Sequence, residues 1–337
     1  MFALRTRAGD SPGEFVRVGS FFQNLPLWLN LLTFLAGLAV VLKGAEWFTE
    51  GAVGIADATG VPKIFIGATV VSLATTSPEV SVSFMAAFLG RPATSVGNAV
   101  GSTIINIGLI LALAAAIQPV KIEKATARLQ GLSMTAAGAA IVLLAWDGQL
   151  VRWEGALLLA GTAAYLWLMA RRSGWNDGNS EPGPNPHGWG PILRQFLIGG
   201  ACVVGGSVLI VQNAAVLARA AGVSELVIGL TLVALGTSLP ELITAITSSL
   251  RGHGDIAVGN VIGANLLNIT LVLGGSAAIL PLGIERQMFI LDFPIMIALM
   301  LLVYFLAGFR GGIGRASGIV FASIYGVYLV LLTAFFM

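Results

Sequence analysis

Ala74-Thr75-Thr76-Ser77-Pro78-Glu79 returns 162 residues later as Gly236-Thr237-Ser238-Leu239-Pro240-Glu241. Each copy lies inside a long apolar run, so each sets one carboxylate at the depth of a bilayer core. A charge there costs at least about 2.5–3.5 kcal/mol on insertion scales, which makes an intramembrane carboxylate a functional residue by default. Here that cost is met twice, at equivalent positions, beside hydroxyls and a proline. Two such carboxylates call for a cation held between the two copies.

The repeat extends well beyond six residues. At the constant offset of 162 and without a gap, Val61–Asn106 matches Val223–Asn268 at 15 of 46 positions. The matches include residues that hydrophobicity does not demand, among them Gly67/Gly229, Thr69/Thr231, Pro78/Pro240, Asn98/Asn260, Gly101/Gly263 and Asn106/Asn268. Pro119 and Pro281 keep the register further on. Apolar helices can match by composition alone, but not at their few polar positions.

Composition places the whole chain in a membrane. It is 56% hydrophobic and 10% charged, against roughly 25% charged residues in a soluble domain. A net charge of +2 and a single cysteine, Cys202, speak against nucleic acid, an internal disulfide and a cysteine metal cluster. Residues 1–26 lack the ordered regions of a cleavable signal and read as a mostly polar tail, with Phe21-Phe22 at the interface. With about 20 apolar residues per crossing, ten spans follow. Five are Leu27–Phe48, Pro62–Leu89, Thr94–Ile117, Leu129–Trp146 and Val151–Ala170, forming a first unit over 27–170. A Gly- and Pro-rich linker, 171–190, precedes five more in 191–337: Ile192–Ala218, Val223–Leu250, Ile256–Ile279, Met288–Phe309 and Gly318–Phe336. His187 and His253 fall in loops and read as surface histidines.

Five spans per repeat is an odd number, so the second repeat must enter the membrane upside down. Inverted repeats with a midplane site are the architecture of secondary transporters. The expected fold is therefore an all-α membrane protein of ten transmembrane helices in two inverted five-helix repeats. Loop charge sets the orientation. With both termini outside, the inward loops collect ten Lys and Arg, from Lys63 to Arg315, and the outward loops only Arg91, Arg152, Arg219 and Arg286. The expected location is the cell inner membrane, with a cytoplasmic linker.

Thr75 and Glu79 are four apart and share a helix face. Pro78 has no N–H and frees the carbonyl of Ala74; Pro240 does the same to Gly236. Hydroxyl, carboxylate and freed carbonyl form an all-oxygen set suited to hard cations such as Ca²⁺. The following spans carry Gly97-Asn98-Ala99-Val100-Gly101-Ser102-Thr103-Ile104-Ile105-Asn106 and Gly259-Asn260-Val261-Ile262-Gly263-Ala264-Asn265-Leu266-Leu267-Asn268. For Thr69, Thr231, Asn98 and Asn260, helix glue and ion ligand weigh evenly. Glue explains Glu79 and Glu241 poorly, because no Lys or Arg lies at matching depth. Lys43, Glu46, Glu50 and Asp292 stand near span ends, where snorkelling to the interface explains them.

At these blocks the chain resembles the sodium/calcium exchanger family, its bacterial and archaeal members above all. The resemblance implies ten helices in inverted halves and Na⁺/Ca²⁺ exchange by alternating access. It places calcium ligands at Glu79, Glu241 and the carbonyls of Thr75 and Thr237. It places sodium sites at Thr75, Thr76, Ser102, Thr237, Ser238 and the carbonyls of Ser72 and Ala234, and a central polar pair at Asn106 and Asn268. Three departures stand out. Ala74 and Thr76 replace Gly and Ser, Ala264 stands opposite Ser102, and Asn268 replaces an aspartate. One sodium site should therefore lack a side-chain oxygen, and two core carboxylates remain. Ca²⁺ and Na⁺ are the expected substrates, with no cofactor and no obligate protein partner. Ca²⁺/H⁺ exchange by the same two glutamates is the alternative. An intramembrane enzyme lacks an accompanying histidine, cysteine or activated serine, and a channel fits a single symmetric site poorly.

Overall fold

The computed structural model of the chain describes Phe22 and residues 24–172, 188–221 and 234–336. In chain order its helices are α1 (Leu27–Thr59), α2 (Lys63–Thr75), α3 (Ser77–Phe88), α4 (Pro92–Ile117), α5 (Lys124–Asp147) and α6 (Arg152–Arg172). There follow α7 (Trp189–Ala220), α8 (Ala234–Thr237), α9 (Leu239–Leu250), α10 (Gly254–Ile279), α11 (Met288–Arg310) and α12 (Arg315–Phe336). Among the described residues eight helices are long and apolar enough to cross a bilayer, and the bent pair α2–α3 makes a ninth such segment. The expected span Val223–Leu250 is described only from residue 234 onward, as α8 and α9. Most of the tail, linker residues 173–187 and Thr231 lie outside the described residues.

The helices outrun the apolar stretches that announce them. α1 has 33 residues and continues past Phe48 to Thr59. At 1.5 Å per residue that is about 50 Å, well beyond a hydrocarbon core of about 30 Å. Its last turns carry Glu50 and Asp57, which hydropathy counts as loop.

The repeat governs the local structure as closely as the sequence. α3 and α9 begin and end 162 residues apart, and so do α4 and α10. α4 carries a π-helical turn at Asn106–Leu111 and α10 one at Asn268–Leu273. The turn after α3 closes with the Arg91 N–H on the Ala86 carbonyl; the turn after α9 closes with the His253 N–H on the Ser248 carbonyl, both 2.8 Å. Gly90 and Gly252 take φ of 69° and 82° there, a left-handed conformation that favours glycine. Two short antiparallel ladders join the halves. β1 (Val120–Lys121) pairs β4 (Gly312–Ile313), and β2 (Gln149–Leu150) pairs β3 (Leu282–Gly283).

α10 runs through the middle, with 94% of its apolar stretch enclosed. Glycines let backbones touch at its crossing with α2. A Cβ on Gly67 would meet the Ile256 carbonyl at 2.5 Å, and one on Gly259 would strike the Ile64 carbonyl. Small residues at crossings are how membrane helices gain close van der Waals contact. α1 and α7 form a second glycine-packed pair, Gly37 against Gly206 and Gly44 against Gly199. A cavity of about 320 Å³ lies between this pair and the Thr75–Ser77 break.

Charges expected to snorkel stay partly exposed and also meet partners. Arg251, at the end of α9, pairs with Glu46 (3.3 Å) and Glu50 (2.5 Å) of α1, and Gln195 of α7 donates to Glu50 at 3.3 Å. The residues 162 positions from Arg251, Glu46 and Glu50 are Leu89, Val208 and Gln212, so the repeat supplies no second network. His253 lies against Lys63, 3.4 Å from its ammonium; burial first, and that cation second, hold the imidazole below its usual pKa. Asp292 corrects the sequence reading more sharply. It is buried, 2% exposed, and accepts from the Tyr328 hydroxyl at 2.7 Å. Its position near the start of α11 brings it under α12 rather than to the interface.

Candidate functional site

Pro78 and Pro240 act as their sequence suggests, with one difference. α2 and α3 meet at 45° around Thr76. The bonds bridging this break run from the Thr76 N–H to the Ser72 carbonyl (2.9 Å) and from the Val80 N–H to the Thr76 carbonyl (3.1 Å). Both involve Thr76, where the two helices join. The Ala74 carbonyl, expected to be open, accepts from the Ser77 hydroxyl at 2.8 Å. Serine three residues on replaces the amide that proline lacks. At α8–α9 the Leu242 N–H bonds the Ser238 carbonyl, and Leu239 stands where Ser77 does, without a hydroxyl to donate.

The two breaks face each other, and each half holds the other's acid. Ser238 donates to Glu79 Oε1 at 3.1 Å, while Thr76, the repeat mate of Ser238, donates to Glu241 Oε1 at 3.2 Å. Thr75 donates to Asn260 Oδ1 at 3.1 Å, and Thr237 to Asn98 Oδ1 at 3.2 Å. Each of these four contacts thus has its counterpart with the halves exchanged, as a two-fold relation requires. Thr75 also lies 3.4 Å from the Ser72 carbonyl, and as donors the Thr75 and Thr237 oxygens keep lone pairs for another partner.

Oxygens are left over. Glu79 and Glu241 are 0% and 1% exposed, and Oε2 of each has no protein partner. Oδ1 of Asn106 and both amide atoms of Asn268 are buried and equally unpartnered. Buried polar atoms without partners are uncommon in folded proteins and ask for an explanation. A cation among them would account for the unpartnered oxygens, though not for the Asn268 amide nitrogen. Among the described residues no three His, Cys, Asp or Glu side chains gather, so the candidate set is two carboxylates plus neutral oxygens, a hard-cation set.

Of the expected residues, hydrogen bonds join Glu79, Ser102 and Ser238, and Thr76 with Glu241, while Thr75 and Thr237 bond Asn260 and Asn98; Asn106 bonds Asn265 instead, and Asn268 has no protein partner. The Ser72 carbonyl borders the break but already accepts from Thr76. Ala234 opens α8. Of the residues left open between glue and ligand, Thr69 donates to the Phe65 carbonyl in its own helix. Asn98 donates to the Glu79 carbonyl and to Ser83 and accepts from Thr237; its side chain fastens the acid's helix to α4. Sequence reasoning missed Tyr165, whose hydroxyl donates to the Ala68 carbonyl inside the π-helical turn Gly67–Val71. It also missed Asn265, which accepts from Asn106.

The asymmetry expected at Ala264 is visible. Ser102 donates to Glu79 Oε1 at 3.4 Å and accepts from Ser238 at 3.0 Å. Ala264, its mate, is buried and brings no oxygen, so Glu241, whose Oε1 accepts from Thr76, lacks the counterpart of the Ser102 contact. We expect Ala264→Ser to raise apparent sodium affinity severalfold, since one neutral oxygen contributes about 1 kcal/mol. The sodium dependence of calcium flux measures it, and an unchanged dependence means that a water or carbonyl already fills that place.

Comparison with known proteins agrees with this geometry. The family described as sodium/calcium exchanger protein matches the chain twice, over residues 29–171 and 192–334. The inner membrane protein YrbG of Escherichia coli is 36% identical over 88% of this chain and 95% of its own length. The sodium/calcium exchanger MaX1 of Methanosarcina acetivorans is 30% identical over 90% of this chain and 98% of its own. Among solved structures, the sodium-calcium exchanger NCX_Mj soaked with Na⁺ and Sr²⁺ superimposes with a TM-score of 0.82 at 32% identity, covering 93% of this chain and 100% of that one. Matched once by each half and at nearly full length by such relatives, the chain belongs to the sodium/calcium exchanger protein family and is a multi-pass membrane protein.

Proposed function

We propose that this protein exchanges Na⁺ for Ca²⁺ across the inner membrane by alternating access, at a midplane site between two inverted five-helix repeats. The observation that carries the reading is the cross-held acid pair: Glu79 and Glu241 are buried, each gripped by a hydroxyl from the other half, each with one oxygen unpartnered. Two carboxylates neutralise one Ca²⁺, and the Thr75 and Thr237 carbonyls complete its shell. Na⁺ takes the flanking oxygens of Thr75, Thr76, Ser102, Thr237 and Ser238, with the carbonyls of Ser72 and Ala234. Asn106 and Asn268 stand between as neutral ligands. The ions given to one relative support the choice, since NCX_Mj, a sodium-calcium exchanger, was soaked with Na⁺ together with Ca²⁺ or Sr²⁺.

The deciding experiment is ⁴⁵Ca²⁺ uptake into proteoliposomes under an imposed Na⁺ gradient, then under a pH gradient alone. Uptake that follows the Na⁺ gradient supports this reading. Uptake driven only by pH would assign the same two glutamates to Ca²⁺/H⁺ exchange.

The inverted architecture carries its own prediction. Arg91 and His253 are repeat mates, each beside its left-handed glycine, and both can change without straining the turn. Single cysteines there, in a Cys202→Ser background, should be labelled by an impermeant maleimide from opposite faces, Arg91→Cys outside and His253→Cys inside. Labelling of both from one face would remove the inversion, and with it the placement of both termini outside.

A further inference from the structure

Asn265 stands outside the ligand set read from the sequence, yet it is fully buried on α10, three residues before Asn268. Its amide nitrogen lies 3.8 Å from Met134 Sδ on α5. Its Oδ1 accepts from Nδ2 of Asn106, 3.0 Å away on α4. A thioether sulfur carries no hydrogen and can only accept. The sense of the Asn265 amide is therefore fixed, nitrogen toward Met134 and oxygen toward Asn106. Asn106 can meet that oxygen only with its own nitrogen, which leaves Asn106 Oδ1 free of protein partners.

We infer that Asn265 is a positioning residue: seated on Met134, it turns the Asn106 amide so that an oxygen, and not an NH₂ group, faces the cation. The inference rests on the exchanger reading above and adds a residue that touches no ion. An amide turned the other way would present N–H dipoles to a cation, losing a ligand and opposing the charge.

The other half lacks the device. Thr103 is the repeat mate of Asn265, and its hydroxyl is taken by the Ala99 carbonyl of its own helix at 2.8 Å. Asn268 consequently has no protein partner on either amide atom. Met296, the mate of Met134, is buried but has no amide to orient. One central asparagine is preset as an oxygen ligand, and its mate is free to present either end.

The test uses the full-length protein in proteoliposomes with ⁴⁵Ca²⁺ and a Na⁺ gradient. Asn265→Leu removes the acceptor at similar volume and should raise KM for Ca²⁺ about tenfold while keeping most of the maximal rate. Met134→Leu, a volume-conserving change, should raise KM about threefold and guards against a folding defect at residue 265. The discriminating background is Asn106→Asp, whose two side-chain atoms are both oxygens and need no orienting. There, adding Asn265→Leu should change KM less than twofold. An equal rise in both backgrounds, or no rise in either, overturns the inference and leaves Asn265 a packing residue. Absence of Ca²⁺ uptake by the unchanged protein overturns the exchanger reading itself, and this inference falls with it.

Discussion

Glu79→Gln and Glu241→Gln should each abolish calcium transport while leaving a folded protein that extracts in detergent. Each carboxylate supplies half of the net charge available to Ca²⁺ in an enclosed site, and Gln keeps the volume and one oxygen. Removing one partner of a buried ionic set costs about 3 kcal/mol or more, over a hundredfold in affinity. The folded state should tolerate the change, because the hydroxyls of Ser238, Ser102 and Thr76 can bond an amide as readily as a carboxylate. The check is ⁴⁵Ca²⁺ flux beside a monodisperse elution profile. Substantial exchange by either variant would take that residue out of the mechanism.

A second large effect is expected at Gly259. A Cβ there strikes the Ile64 carbonyl and stands 3.0 Å from the Ala68 N–H. These are backbone atoms of α2, with no flexible tip to swing aside. Overpacking typically costs about 1–3 kcal/mol, and a crossing where the clash is with backbone atoms belongs at or beyond the top of that range. Gly259→Val should lower the unfolding temperature in detergent by several degrees at least and eliminate transport. Gly326→Val is the control, since no described atom stands within 4 Å of a Cβ there. Equal unfolding temperatures for the two variants would mean that α2 and α10 are not held backbone to backbone.

The sequence made the site legible because polar residues are rare in this chain and each must be explained. The paired TTSPE and TSLPE blocks located both helix breaks, and the offset of 162 survives in helix bounds, π-helical turns and left-handed glycines. What stayed hidden depends on which way a helix faces. In a helix apolar on every side, no amphipathic stripe marks the buried face. Asp292 could be read as interfacial by its distance from the span end, yet α12 covers it and Tyr328 bonds it. Tyr165 and Asn265 were invisible for the same reason, since each acts on an atom of a helix distant in sequence. The Ala74 carbonyl is a different case. Ser77 stood in plain view, and its reach to a carbonyl three residues back could have been anticipated from local geometry.

The Arg251–Glu46–Glu50 network has a thermodynamic consequence. A perfectly repeated inverted chain would have degenerate end states, open to one face or the other at equal free energy and hence equally populated at rest. Only departures from the repeat can lift that degeneracy. Arg251 ties the α9–α10 turn to α1, whereas Leu89, Val208 and Gln212 offer the mirrored face no charge to tie. Under the alternating access proposed above, the network would skew the resting population toward the state in which it is intact. Its exposed members are screened by salt, so the skew should shrink as ionic strength rises. On that proposal, the resting conformation would become a function of the electrolyte, apart from any ion bound at the centre.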